Sequence, residues 1–147
     1  MRTIFNEVVY QDIVNRINNL NEDTKPQWGK MNVGQMVWHC QAPLNIMLQK
    51  DDYGMKPNWL INLLFKKSLY SDKPYKKNGM TAKAFKTEES KDFTSEKNKL
   101  IGLLNELHDK REKTDWAPHP SFGTFTKDQW GKMQYKHLDH HLRQFGV

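Results

Sequence analysis

The chain has 147 residues, enough for one domain with a hydrophobic core and too few for two. Its formal charge is +6, its mean hydropathy is −0.88, and no stretch approaches the ~20 apolar residues of a membrane span. These values exclude a membrane-spanning protein and predict that no large apolar surface is exposed. We expect a single domain over residues 1–147, with no membrane as a partner.

The N-terminal residues and the cysteine usage indicate the compartment. Residues 1–7 lack the apolar core of a signal peptide. Cys40 is the only cysteine, so no intrachain disulfide requires an oxidising environment. We therefore expect a cytoplasmic protein. Cys40 directly follows His39 and could ligate a metal, although packing as a small buried hydrophobe is the role that we favour.

The first half of the chain predicts three helices. Asn6 can cap the first, which runs to about residue 20 with apolar residues at helical spacing. Asn32 can cap a second, which extends to residue 48. A short third helix is predicted over residues 58–69. His39 lies at the edge of the apolar arc of the second helix, so periodicity alone does not place it in the core.

Pro43 follows His39 by four positions in the second predicted helix. A proline there removes the backbone donor that would bond to the carbonyl of residue 39, and it tends to kink the helix. The sequence therefore predicts a kink beside His39.

Residues 71–89 contain Pro74, Gly79 and many lysines without a steady period, which predicts an ordered but irregular crossover. Lysines and tyrosines alternate near residues 66–77 and could follow a nucleic-acid backbone or an anionic ligand. A solvated surface is the simpler interpretation, and we expect no nucleic-acid partner. Thr94 is the predicted cap of the next helix, which ends near residue 110.

The last helix carries the histidine pattern. Thr126 can cap it, residues 127–145 form its body, and Gly146 is typical of a helix end. His137 and His141 lie one turn apart on the face that packs inward, and two imidazoles at this spacing can hold one transition metal. Hydrogen-bonded or surface histidines are the alternative, and His140 is expected at the flank.

Two neighbours of the pair narrow the chemistry. Leu138 stands where the helical zinc-protease motif requires a glutamate, so we do not expect a protease of that type. Asp139 points about 180° away from the pair, so we expect it to be solvated rather than a ligand.

His119, between Pro118 and Pro120, is the candidate catalytic acid or base. The alternative is that it is a rigid loop residue that packs against the helix ends.

Three stretches together resemble a known superfamily: residues 28–40 (WGKMNVGQMVWHC), 119–123 (HPSFG) and 129–146 (QWGKMQYKHLDHHLRQFG). With the helix order, they resemble the DinB/YfiT-like metalloenzymes, within a branch of small bacterial proteins of uncharacterised function. The resemblance implies an all-α, four-helix bundle with a long irregular crossover and a short extra helix. It also implies a divalent metal, nickel or zinc, held by His39, His137 and His141.

The same resemblance implies relatives that are hydrolases or that transfer or isomerise thiol conjugates, and frequent homodimers. Our leading hypothesis is a metal-dependent hydrolase or thiol-dependent transferase that acts on a small molecule, with a low-molecular-weight thiol as one substrate. Because His39 lies at the edge of its arc, His140 or Cys40 could replace it as a ligand. The alternative is a non-catalytic bundle that binds a small anionic ligand or a protein partner. Protonation of histidine ligands predicts loss of metal below about pH 6.

Overall fold

A computed structural model describes residues 2–147, and these residues are all-helical, as predicted. Six α-helices and one short 3₁₀ helix are present, without a β-strand in the described range. The α-helices are α1 (Glu7–Asn18), α2 (Val33–His39), α3 (Gln41–Met47), α4 (Trp59–Tyr70), α5 (Phe93–Asp109) and α6 (Lys127–Gln144), and the 3₁₀ helix is Lys83–Phe85. None of these helices combines the length and apolar composition needed to cross a bilayer.

Three of the four predicted N-caps are confirmed: the side chains of Asn6, Asn32 and Thr126 each accept a bond from a backbone N–H in the first turn. Asn58, for which no cap was predicted, does the same at the start of α4. The prediction of Thr94 for α5 is wrong, because the side chain of Asp92 accepts from the Ser95 N–H and the helix begins at Phe93. A carboxylate at this position also interacts favourably with the helix dipole.

The kink predicted beside His39 is a one-residue interruption, at which Cys40 keeps helical dihedral angles of φ −65° and ψ −14°. α2 ends at His39 and α3 begins at Gln41, so the two segments meet at Cys40. The missing donor of Pro43 leaves the carbonyl of His39 without its helical partner, which explains the position of the interruption. Cys40 is buried with its Sγ 3.6 Å from the Sδ of Met36, and burial raises the pKa of its thiol. It therefore packs as a core residue, as favoured from the sequence.

The core lies between the two halves of the chain. α2 and α3 pack on α5, α1 packs on α5 and α6, and α4 lies against α6. The most deeply buried apolar side chains come from five of these helices and include Ile13, Ile17, Val37, Leu44, Leu104 and Leu138. The irregular segment 71–92 crosses from α4 to α5, and its 3₁₀ turn lies beside His39.

The close approach of α2 to the start of α5 depends on Gly34. A Cβ atom at Gly34 would lie 2.3 Å from the carbonyl oxygen of Lys91, and a backbone oxygen cannot easily move away. We expect Gly34→Ala to lower the free energy of unfolding by about 1–3 kcal/mol. Gly102 in α5 is the matched control: a Cβ there meets nothing within 4 Å, so Gly102→Ala should stabilise the helix by roughly 0.5–1 kcal/mol.

Urea unfolding of the two alanine variants measures this difference. The midpoints should shift in opposite directions while the slope of free energy against urea stays constant. A Gly34→Ala variant as stable as the original protein would show that the chain can separate α2 from Lys91 without cost.

Candidate metal centre

Two helices bring three histidines together. His39 is the last residue of α2, and His137 and His141 stand one turn apart on α6. The ring centroids are 4.9 Å apart for His39 and His137, 4.6 Å for His39 and His141, and 4.7 Å for His137 and His141. The three rings thus form a nearly equilateral triangle, and one nitrogen of each lies within 4.8 Å of the others.

His39 is buried at the end of α2, although helical periodicity placed it at the edge of the apolar arc. Its Nδ1 lies 2.8 Å from the carbonyl oxygen of Phe85, which can only accept a hydrogen bond, so Nδ1 donates its proton to that oxygen. The lone pair of His39 is therefore on Nε2, which points towards His137.

A chain of two hydrogen bonds orients His141 in the same way. The side-chain Nε2 of Gln144 donates to the carbonyl oxygen of Trp28 at 2.9 Å, which leaves Oε1 of Gln144 facing His141. That oxygen accepts from Nδ1 of His141 at 2.8 Å. As at His39, the proton is fixed on Nδ1 and the lone pair on Nε2. Hydrogen bonds of this kind to carbonyl oxygens commonly orient metal-ligating histidines.

His137 completes the triangle without such a partner. Its Nε2 lies 3.0 Å from Nε2 of His39, and its Nδ1 is buried without a hydrogen bond. If its proton is on Nδ1, two lone pairs face each other at 3.0 Å. If the proton is on Nε2, the buried Nδ1 is an unpaired acceptor. A cation between the two Nε2 atoms would satisfy both lone pairs, so the distance fits shared ligation.

Burial keeps these imidazoles neutral, which is the form that binds metal. Desolvation lowers the pKa of His39 against a smaller opposing effect from the Phe85 carbonyl, and it lowers the pKa of His141 to about 3. The pKa of His137 lies well below its ordinary value, first because of burial and then because of the neighbouring imidazoles. All three rings are therefore neutral at neutral pH, and each carries a lone pair on one ring nitrogen.

The donor set fits a divalent transition metal. Imidazole nitrogens bind Zn²⁺ at about 2.0–2.1 Å in tetrahedral sites, which places two of them about 3.3–3.4 Å apart. The 3.0 Å between His39 and His137 is a few tenths of an ångström shorter, so binding requires only a small shift of the rings. No carboxylate joins the group within the described residues.

Asp139 is directed away from the histidines, as predicted. The expectation that it is solvated is wrong, because it is partly buried and paired with Arg16 at 2.8 Å and with Arg143 at 2.9 Å.

His140 lies at the edge of the triangle. Its ring contacts those of Trp28, Tyr75 and His141. On its other side is a cleft of about 690 Å³, lined by four cationic and three acidic side chains together with Pro74, two tyrosines and His140 itself. His140 is thus half-buried between the cleft and the histidine triangle, and it is not a member of the three-ligand group.

His119 lies outside the three-ligand group, in the turn before α6. Its Nδ1 accepts hydrogen bonds from the N–H groups of Ser121 and Phe122, so its own proton is on Nε2. Burial lowers its pKa to about 4, and its ring packs against those of Phe122, Phe125 and Trp130. To gain a proton it must give up both backbone bonds. This geometry favours a donor or a structural role over a catalytic base.

Fold and site together define an all-helical protein with three converging histidines that could hold a metal ion. Residues 8–146 match a family described as a protein of unknown function, DUF1569. The match covers nearly the whole chain, so the chain belongs to this family. Comparisons with curated proteins and with solved structures gave no match.

Proposed function

We propose that this protein is a metal-dependent enzyme of DinB/YfiT-like, four-helix-bundle type, with nickel or zinc held by His39, His137 and His141. The observation that carries the proposal is the orientation of His39 and His141. Each donates its Nδ1 proton to a fixed oxygen and directs a bare Nε2 lone pair into the triangle. Histidines that serve only the core have no need for converging lone pairs.

Three imidazole ligands leave coordination positions for other molecules, as in catalytic rather than structural sites. A divalent cation in this place makes a water molecule or a thiol more acidic and therefore a better nucleophile at neutral pH. The reaction class that this supports is hydrolysis, or the transfer of a low-molecular-weight thiol, on a small molecule in the cytoplasm.

The chain's own contributions to such a reaction are positioning and access. Phe85 and Gln144 fix the two imidazole rings through hydrogen bonds. The cleft beside His140 offers a place for a small polar substrate, since its lining combines arginines with the aspartates that pair with them. His140 and Tyr75 line the cleft on the side of the histidine triangle, where they could orient that substrate.

Elemental analysis of protein purified without a metal-affinity tag tests the proposal. We expect about one nickel or zinc ion per chain, bound at purification or taken up when the ion is supplied. The His39→Ala, His137→Ala double variant should lose it, since it keeps one of three ligands. His140→Ala is the matched control, because it removes an adjacent histidine outside the group and should retain the metal.

Two results would overturn the proposal. Protein that neither contains metal nor binds added nickel or zinc would favour the non-catalytic alternative, a bundle that binds an anionic ligand or a protein partner. Loss of metal in His140→Ala but not in the double variant would show that His140 is a ligand and that His39 and His137 are not. The homodimer that the resemblance implies is tested separately, by the molar mass of the purified protein in light scattering.

A further inference from the structure

Most of the solvent-facing surface of α4 is apolar. Six of the seven residues 59–65 are apolar and exposed, with Asn62 as the exception: Trp59, Leu60, Ile61, Leu63, Leu64 and Phe65. Trp59 is 77% exposed, Leu63 74% and Leu64 61%. No residue of this helix is buried. The expectation from mean hydropathy that no large apolar surface is exposed is wrong here, because a chain average hides a local cluster.

The side of α4 that faces the protein combines polar contacts with the partly buried Leu69 and Tyr70. The side-chain amide of Asn62 donates to the carbonyl oxygen of Phe122 at 3.0 Å, and Nζ of Lys66 donates to that of Thr124 at 2.8 Å. Tyr70 adds an edge contact to the ring of Phe125. A surface helix normally packs its apolar stripe inward and solvates its polar side. α4 packs only Leu69 and Tyr70 inward and leaves six large apolar side chains exposed, which indicates that its apolar side has a partner outside the chain.

The charge around α4 identifies the kind of partner. Residues 53–87 contain eight lysines, no arginine, no glutamate and one aspartate, so their formal charge is +7. The whole chain has a formal charge of +6. The excess positive charge of the protein is therefore concentrated in the segment that carries the apolar helix. Lys56, just before α4, and Lys67, in its last turn, are both exposed.

This charge distinguishes three occupants of the surface. A second copy of the chain would bring two segments of charge +7 together, which is electrostatically unfavourable. A nucleic acid would satisfy the lysines but not six aliphatic and aromatic side chains, of which only Trp59 and Phe65 could stack on bases. An anionic lipid surface satisfies both, since acyl chains accept the apolar side and headgroups attract the lysines.

We propose that α4 docks the protein onto the surface of a bilayer that contains anionic lipids. Twelve residues of α-helix are about 18 Å long, too short to span a bilayer and sufficient to lie in its interface. Trp59 stands at the start of the helix, and tryptophan is favoured at the headgroup level. The earlier expectation of no membrane partner rested on the absence of a spanning segment, which does not bear on interfacial binding. The proposal is independent of the metal centre.

Sedimentation of the full chain with vesicles tests this. We expect at least tenfold more bound protein with phosphatidylglycerol–phosphatidylcholine vesicles than with phosphatidylcholine alone. Binding should fall several-fold between roughly 0.1 and 0.5 M salt, because salt screens the lysines. Leu60→Ser, Leu64→Ser should reduce binding at least tenfold. Val8→Ser is the matched control, because Val8 is also an exposed aliphatic residue, 76% exposed on α1, and should leave binding unchanged.

Fluorescence locates the contact. Lipids brominated in the upper acyl chain should quench the intact protein, and the quenching should fall to the level of unmodified vesicles in Trp59→Phe, which keeps an aromatic anchor. Equal binding to neutral and anionic vesicles, or no loss on serine substitution, would overturn the proposal. A dimer in light scattering that Leu60→Ser, Leu64→Ser converts to a monomer would assign the surface to a second copy instead.

Discussion

Zinc or nickel, added to metal-free protein, is expected to raise the free energy of unfolding by about 4 kcal/mol when the free ion exceeds its dissociation constant about 1,000-fold. The physical reason is that the three ligand nitrogens converge only in the folded chain, with His39 almost 100 residues from His137. For a domain of this size the midpoint of thermal unfolding should rise by roughly 10 °C. Thermal unfolding followed by circular dichroism, at several metal concentrations, measures the effect.

His137→Ala supplies the decisive comparison. The metal-dependent shift should disappear in this variant. Each protein is compared with itself, with and without metal, so a change in stability caused by the missing ring does not affect the result. His119→Ala removes a buried histidine outside the group, so it should keep the full shift despite a lower starting stability. A shift of equal size in His137→Ala would show that added metal stabilises the protein at another place.

The part of this site that sequence could predict is the part that one helix supplies. His137 and His141 follow from helical periodicity, and their convergence needs no tertiary information. His39 is different, because an ideal helix places it at the edge of the apolar arc. In the structure its ring is buried at the end of α2. The interruption after it could be predicted from Pro43, but the burial of the ring depends on how α2 packs against α6 and the 3₁₀ helix.

The hydrogen-bond partners of the histidines show the same limit. Gln144 follows His141 by three positions on the same helix, so helical spacing could have indicated their contact. The partner of His39 is a backbone carbonyl of residue 85, in a segment without periodicity. Every residue has a backbone carbonyl, whatever its side chain, so nothing in the sequence marks Phe85 as the partner. The position of the crossover is fixed only when the helices pack.

Acid is expected to destabilise the metal-free protein well before its carboxylates titrate. The folded-state pKa is lowered to about 4 for His119 and about 3 for His141, against an ordinary value of 6.5. Burial also lowers the pKa values of His39, His137 and His140. Below pH 6.5 the unfolded chain therefore binds protons that the folded chain excludes, so stability is complete above this pH and falls as the pH decreases.

The size of this loss can be checked by urea unfolding in the presence of a chelator. From pH 6 to pH 5, His119 and His141 together should lower the free energy of unfolding by about 2 kcal/mol, with a further loss from the other three. Because the ordinary carboxylate pKa values lie near 4, acidic side chains contribute little in this window. His119→Gln should reduce the slope of stability against pH by about one proton. A constant free energy between pH 7 and pH 5 would contradict neutral, buried histidines.

The same pKa values revise the expected pH of metal release. Sequence alone predicted release below about pH 6, where an ordinary imidazole gains its proton. In the folded protein, the proton competes with metal only near the lowered pKa values, about 3 for His141. The bound ion should therefore stay in place until acid unfolds the chain. Metal release, followed by a chromogenic chelator, and the loss of helical circular dichroism should consequently share one midpoint, below pH 6. Release at pH 6 from a fully folded chain would mean that the ligands are exposed.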